Sequence, residues 1–392
     1  MRKVFVFSVF AAVFGLFFIR AASAQEEFKP SVDFKGSWLA AGYLDTGNQG
    51  TYPDGSFQAP AMRLKTNIGV APDAKIVLRM NLDNAAFNGF DFMMLEYMGI
   101  LGSVSPSFKD SAFNPNLRIG RFKLDMGEET IANNPVDGAL ISASAGNMTG
   151  FDEGLMLFQS LPKERAGIPL KWSFTIANGN KGAGADNEQA KSMLLKVGVN
   201  PLESLYMSMS YYNSGDIGTA STDITFAGLG TGPANATEWD RTVFEFDVRY
   251  DFMPGPKEKR LEPGATAFSD SKAFVRLAYG MFTDDGSDKA APVVSVTDRD
   301  GNYMYLDGVY NATDKIYLAA RYSFIGFDES SLYDSLNGVT ANKYTRISLG
   351  IGYRLSDNVH VKTEFTSNSE DVPAGTDEPE NNQIGLLFTA RF

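Results

Sequence analysis

The chain has 392 residues, a formal net charge of −12 and no cysteine. The missing thiols exclude a disulfide scaffold, a thiolate iron–sulfur cluster and a cysteine nucleophile, and the acidic balance speaks against a nucleic-acid partner. Length alone suggests two soluble domains, but the internal pattern is that of one uniform body.

Arg2 and Lys3 precede an apolar run over residues 4–19, and Ala22-Ser23-Ala24 then offers small side chains where a signal peptidase cuts. The sequence therefore predicts a secretory signal peptide over 1–24 and a mature chain over 25–392. The run is short for a spanning helix, which needs about 20 residues, and no second run of about 18 apolar residues follows it. No cysteine stands after the cleavage point to carry a lipid anchor.

From there the chain repeats one unit, a segment of about ten residues in which apolar and polar positions alternate, as in a strand with one greasy face. Over 315–324, Ile316, Leu318, Ala320, Tyr322 and Phe324 share one face, while Lys315, Tyr317, Ala319, Arg321 and Ser323 share the other. Over 344–355, Ile347, Leu349, Ile351 and Tyr353 oppose Arg346, Ser348, Gly350 and Arg354; over 359–368, Val361 and Phe365 oppose His360, Lys362 and Glu364. The same reading gives sixteen strands near 32–44, 58–70, 75–84, 90–101, 116–124, 153–161, 170–178, 190–199, 205–212, 241–251, 271–282, 301–311, 315–325, 344–355, 359–367 and 382–392. In 90–101 both faces are largely apolar, and in 153–161 the alternation is poor.

Tight turns at 71–74, 201–204, 312–314 and 356–358 take turns with long polar loops at 126–152, 179–189, 213–240, 283–300, 326–343 and 368–381, although 102–115 and 252–270 are long where short ones are expected. Short connections at one end and long ones at the other are the layout of an all-β transmembrane antiparallel barrel, with short periplasmic turns and external loops. A soluble sandwich also alternates. Against it stand the persistence of the alternation, the two classes of connection, and Tyr43, Tyr211, Tyr250, Tyr279 and Tyr353 at strand ends, where an apolar band meets headgroups. The last strand carries Ile384, Leu386, Phe388, Ala390 and Phe392 on one face, which resembles the terminal signature of bacterial outer-membrane proteins.

The stretch Asn116-Leu117-Arg118-Ile119-Gly120-Arg121-Phe122-Lys123-Leu124-Asp125-Met126-Gly127-Glu128-Glu129 resembles the strand-to-loop motif of the phosphate-selective porin O and P family. Gly120, Arg121, Phe122, Lys123, Gly127 and Glu129 match that motif, whereas Asp125 and Met126 replace its usual Pro and Phe. Ile176-Ala177-Asn178-Gly179 is also similar. The resemblance implies a 16-stranded, homotrimeric diffusion channel in the outer membrane, in contact with its lipid and lipopolysaccharide. It assigns no phosphate-binding residues. Locally, the parity of Leu117 and Ile119 would place Arg121 in lipid, at about 2–4 kcal/mol near the midplane. Either a bulge at Gly120 turns Arg121 and Lys123 inward and Phe122 outward, or the strand is so near the rim that Arg121 reaches headgroups. In the porin fold the loop after the fifth strand narrows the pore. The small residues of 126–152 suit such an infolded constriction loop, with Glu128, Glu129 and Asp137 facing the solute; an ordinary external loop is the alternative.

If the apolar faces meet lipid, strand charges must point into the lumen. Sixteen basic residues take that face: Lys35, Arg63, Lys65, Lys75, Arg79, Arg118, Lys171, Lys196, Arg249, Arg276, Lys315, Arg321, Arg346, Arg354, Lys362 and Arg391. Seven acidic ones do so: Asp33, Asp83, Glu96, Glu245, Asp247, Asp307 and Glu364. The compensating acids fall in loops, as in Asp284-Asp285, 298–300, Asp328-Glu329 and 370–380. A basic lumen concentrates anions, so the expected solutes are small hydrophilic molecules and ions with anions preferred, unless pairing or an acidic constriction cancels the field. The pore-lining set expected is Arg63, Lys65, Arg79, Arg118, Arg121, Lys123, Lys171, Lys196, Arg276, Arg321, Arg346 and Lys362.

The single histidine, His360, is too little for a hydrolytic triad or a zinc site. No catalytic residue, metal or cofactor is expected. The competing readings are an uptake channel specific for a sugar or an oxyanion, and a barrel acting as sheath for a partner protein.

Overall fold

The computed structural model describes residues 28–47, 52–109, 111, 113–129, 136, 138–148, 150–179, 190–218, 232–233, 235–252, 271–289, 295–296, 298–328, 333–334 and 340–392. The signal-peptide segment 1–24 and Asp137 lie outside them.

Sixteen antiparallel strands close into one barrel. They are β1 (Trp38–Asp45), β2 (Ser56–Ala71), β3 (Ala74–Asn81), β4 (Phe90–Tyr97), β5 (Asn116–Lys123), β6 (Phe151–Leu161), β7 (Leu170–Ala177) and β8 (Ser192–Leu202). Then come β9 (Leu205–Asn213), β10 (Glu238–Asp251), β11 (Ala273–Ser287), β12 (Arg299–Asn311), β13 (Ile316–Phe327), β14 (Lys343–Arg354), β15 (Val359–Asp371) and β16 (Gln383–Arg391). Each pairs with its sequence neighbour, and β1 closes the ring on β16 with Trp38 opposite Arg391 and Asp45 opposite Ile384. Closure leaves none of these sixteen strands as a free edge.

Each expected strand is present, with boundary shifts that have local causes. The first expected strand breaks at Gly36: Ser31–Asp33 runs beside β2 before the chain turns into β1. The end of 90–101 folds instead as a short helix, Ile100–Val104, which with Tyr97 and Leu101 covers Leu117 and Leu155. At the long-loop end, β11, β12 and β15 extend past the expected boundaries. Asp284, expected in a loop, therefore lies within β11, fully buried between Arg241 and Arg299.

The alternation sorts the faces as expected. On β13, Ile316 and Leu318 are exposed outward, while Tyr317, Arg321 and Ser323 are buried inward. Leu306, Ile347, Leu349, Ile351, Phe365, Leu386 and Phe388 continue this outer apolar surface, and Tyr211, Tyr250, Tyr279, Tyr310 and Tyr353 stay exposed upon it. A barrel presenting hydrocarbon outward and charges inward has the polarity of a membrane protein.

Candidate functional site

The inner face of the barrel divides into two unlike halves. On β2 to β5 stands a ladder of cations. Arg63 pairs with Asp83 and Asp91, and Arg79 lies 3.1 Å from Asp91. Lys75 and Arg118 share Glu96 at 2.8 and 2.6 Å. Lys65 sits opposite Arg79 in register, on the same inner face. Three of the guanidinium groups rest on aromatic rings: Arg63 is 5.4 Å from Trp38, Arg79 3.8 Å from Phe92 and Arg118 4.2 Å from Phe158. Such stacking adds roughly 0.5–2 kcal/mol each and fixes the plane of the side chain.

The other half is occupied by the segment after β5. Its described residues cross the lumen and bond to the far wall. Gly127 donates its amide to Ser210 Oγ at 3.2 Å, and Glu128 donates its amide to Asp247 at 3.3 Å. Lys196 donates to the Gly127 carbonyl at 2.6 Å and lies 3.1 Å from Asp125 and 2.9 Å from Glu128. Tyr206 donates to Glu128 at 2.6 Å. Further along, Ala145 donates its amide to Ser323 Oγ at 3.0 Å, while the Ser142 and Ala143 carbonyls accept from Arg321 and Arg346 at 2.9 and 2.8 Å. Lys362 donates to the Val136 and Gly138 carbonyls, and Glu364 accepts from the Ile141 and Ser142 amides. A bare loop backbone needs such partners in a confined space, and the inward side chains of β8 to β15 supply them.

Gly127 makes the close approach possible: its φ is +59°, and a Cβ there would come within 2.1 Å of Glu245. Under the segment lies an apolar cluster in which Val77, Met94 and Met156 of the wall join Leu124, Met126 and Met148. Those wall residues account for the poor alternation of the fourth and sixth strands, because part of the inner face there meets hydrocarbon rather than water.

The expected site residues fall into distinct places. Lys65, Arg118 and Lys171 lie on the inner face and stay partly exposed, with Arg118 and Lys171 side chains at 30% and 20%, and Arg63 and Arg79 beside them are more covered, at 13% and 16%. Lys123 lies in the field of Arg63, Arg79, Asp91 and Glu129. Lys196, Arg321, Arg346 and Lys362 point inward as expected but are buried beneath the crossing segment, and Arg276 is held by Asp307. They hold protein rather than face solute, which corrects their assignment to the pore surface. Glu128 and Glu129, expected to face the solute, are 2% and 4% exposed; Glu129 is engaged by Ser144 and by Arg321 at 3.0 Å.

Arg121 is a further correction. The register runs Met93–Arg121–Glu153 across three strands without a slip at Gly120, and Met93 is exposed on the outer face. No bulge turns the strand. Arg121 keeps the outward parity, pairs with Glu153 at 2.8 Å and donates to the Phe90 carbonyl at 3.0 Å, while Phe122 is buried within the apolar cluster. Gly120 itself has φ +117°, and a Cβ there would sit 2.3 Å from the Met93 carbonyl oxygen.

Sequence reasoning missed Asp91, Asp125 and Asp284 as inner acids, and Trp38, Phe92 and Phe158 as platforms for cations. The bulge in β4 opposite Arg79 hides the inward parity of Asp91, and Asp125 lies beyond the last residue of β5. Asp125 shows how the two charge types are matched: burial alone would raise its carboxyl, but Lys196 and Lys171 outweigh that and hold it below the usual carboxylate range.

No family model matches the chain, and none of the curated proteins matches it by sequence. Solved structures do. The outer membrane channel DcaP of Acinetobacter baumannii aligns at 12% identity over 95% of this chain and 100% of its own, with a TM-score of 0.61. OmpT, an outer membrane protein of Vibrio cholerae solved in a trimer form, aligns at 12% identity over 93% and 100%, with a TM-score of 0.59. Salmonella typhi OmpF, solved in complex with daunomycin, aligns at 11% identity over 92% and 97%, with a TM-score of 0.52. At such identities the likeness establishes architecture and no more: this chain is built on the closed porin-type barrel.

Proposed function

We propose that the chain is a bacterial outer-membrane porin through which small hydrophilic solutes and ions diffuse passively, with anions preferred. The observation that carries this reading is the asymmetry of exposure among the inner charges. The most accessible of the paired inner charges are cations, with Lys75 44% and Arg118 30% exposed at the side chain, whereas Asp91, Glu96, Glu128 and Glu129 are all below 10% and Asp83 alone among the paired inner acids reaches 23%. A solute meets the basic side of the Lys75–Glu96, Arg118–Glu96 and Arg79–Asp91 pairs, and in a low-dielectric wall that excess raises local anion concentration.

In this reading the crossing segment is a constriction loop that leaves the β2–β5 side as the passage. The long-loop end faces outward among lipopolysaccharide, the short-turn end faces the periplasm, and residues 1–24 are the signal peptide removed on export. A homotrimer is in keeping with the motif resemblance and with the trimer form in which the Vibrio protein was solved. The test is conductance in a planar bilayer with reversal potentials in a salt gradient. Anion-selective steps of constant size are expected. Cation selectivity overturns the preference, and absence of conductance overturns the channel.

A further inference from the structure

The outer face carries one feature that diffusion through the lumen does not use. Across β11 to β15, the register rows Val275–Gly308–Ala320–Leu349–Phe365 and Ala273–Tyr310–Leu318–Ile351–Thr363 lie side by side on the outside. Small residues at Gly308, Ala320 and Ala273 are rimmed by larger ones, Phe252, Tyr310, Leu318 and Leu349, leaving an almost wholly apolar groove of about 680 Å³. That lies within the roughly 300–1,000 Å³ of ligand sites. A Cβ built at Gly308 meets nothing within 4 Å, so the floor is open rather than packed.

At its short-turn end the groove reaches Ala273, and exposed Lys272 stands next to it, just before β11. Its ammonium lies 5.4 Å from the Tyr310 ring and donates to the Ala312 carbonyl at 3.1 Å; among the described residues that is its one hydrogen bond, and an ammonium has three N–H donors to offer. An apolar slot that ends beside a cation at headgroup level fits an acyl chain with an anionic head.

We propose that this groove is a binding site for one anionic phospholipid, its chain lying over Gly308 and Ala320 and its phosphate at Lys272. The site rests on the membrane reading given above but not on conduction. Opposite, the outer face of β5 and β6 is covered at Leu117 and Leu155 by the Ile100–Val104 helix and carries the Arg121–Glu153 pair, so an equivalent slot is closed there.

The test is native mass spectrometry of the whole chain extracted in detergent and incubated with phosphatidylglycerol or phosphatidylcholine. One retained phosphatidylglycerol per chain is expected, several-fold more than phosphatidylcholine. Gly308→Phe, which fills open space, lowers retention of both lipids at least tenfold, whereas Lys272→Ala removes only the headgroup preference. Ala320→Leu serves as a second filling variant, and heat-modifiability on gels confirms that each barrel has closed. Equal retention by either filled variant overturns the proposal. So does a change of oligomeric state in those variants, which assigns the groove to a second copy of the chain. Bilayer conductance of the same samples is expected to be unaltered, so failure of the channel reading is seen separately from failure of the lipid site.

Discussion

Lys196 and Glu128 form a buried ion pair at 2.9 Å, their side chains 1% and 3% exposed, and through it the wall at β8 grips the segment that crosses the lumen. The same ammonium serves Asp125 and the Gly127 carbonyl. Removing one member of a buried pair leaves its partner charged in a low-dielectric place, at about 3–5 kcal/mol. Lys196→Met is therefore expected to release the segment, seen as larger and noisier single-channel currents and a lower unfolding temperature on gels. Adding Glu128→Gln recovers part of the loss. Unchanged current in Lys196→Met contradicts the gripping role.

The cation ladder predicts its own reversal. Lys65 and Lys75 are lumen-facing and long, and replacing both with Glu reverses the sign of two accessible charges while leaving the Arg63 and Arg79 pairs with Asp91 in place. The expected result is a severalfold fall in the anion-to-cation permeability ratio, steepest at low ionic strength because added salt screens the wall. A reversal potential that stays put shows that these lysines do not set selectivity.

Gly120 holds a backbone angle of +117° hard against the Met93 carbonyl. Gly120→Val meets both a strained backbone and a collision with main chain, and about 1–3 kcal/mol is expected for the backbone alone. Urea or heat titration of the folded gel band measures it. Equal stability of the variant contradicts the strain argument.

Asp125 gives a pH dependence with a definite sign. Because Lys196 and Lys171 hold its folded carboxyl low against burial, its contribution is complete above the unfolded value of about 3.9 and is lost only as pH falls through the lower folded one. The stability difference between the native chain and Asp125→Asn is thus expected to stay flat from about pH 7 to 5 and to shrink in strong acid. A difference that vanishes near neutrality contradicts the pairing.

The strand count and the faces were legible because membrane and lumen impose opposite demands at every second residue: Ile347, Leu349 and Ile351 have no reading except outward once Arg346 and Ser348 turn in. What local pattern does not carry is the partner across the barrel. Lys196 and Lys362 share the inward parity of Arg118, yet both are covered by a segment distant in sequence, and nothing near either residue announces it. Arg121 misled for a related reason. Its charge argued for water, and an outward-facing Glu153 on the next strand satisfied it instead. Asp284 was hidden by length, since β11 runs past the point where the apolar face fades.

A hollow cylinder of sixteen strands resists twisting well but is easily flattened toward an ellipse. Here the crossing segment works as a spoke, tied at one rim of the wheel through β5 and at the other through Ser323, Arg346 and Glu364. Lateral pressure from the bilayer then loads that spoke rather than the hoop of strand hydrogen bonds. In the proposed channel, the shape of the bore is set by this brace as much as by the number of staves.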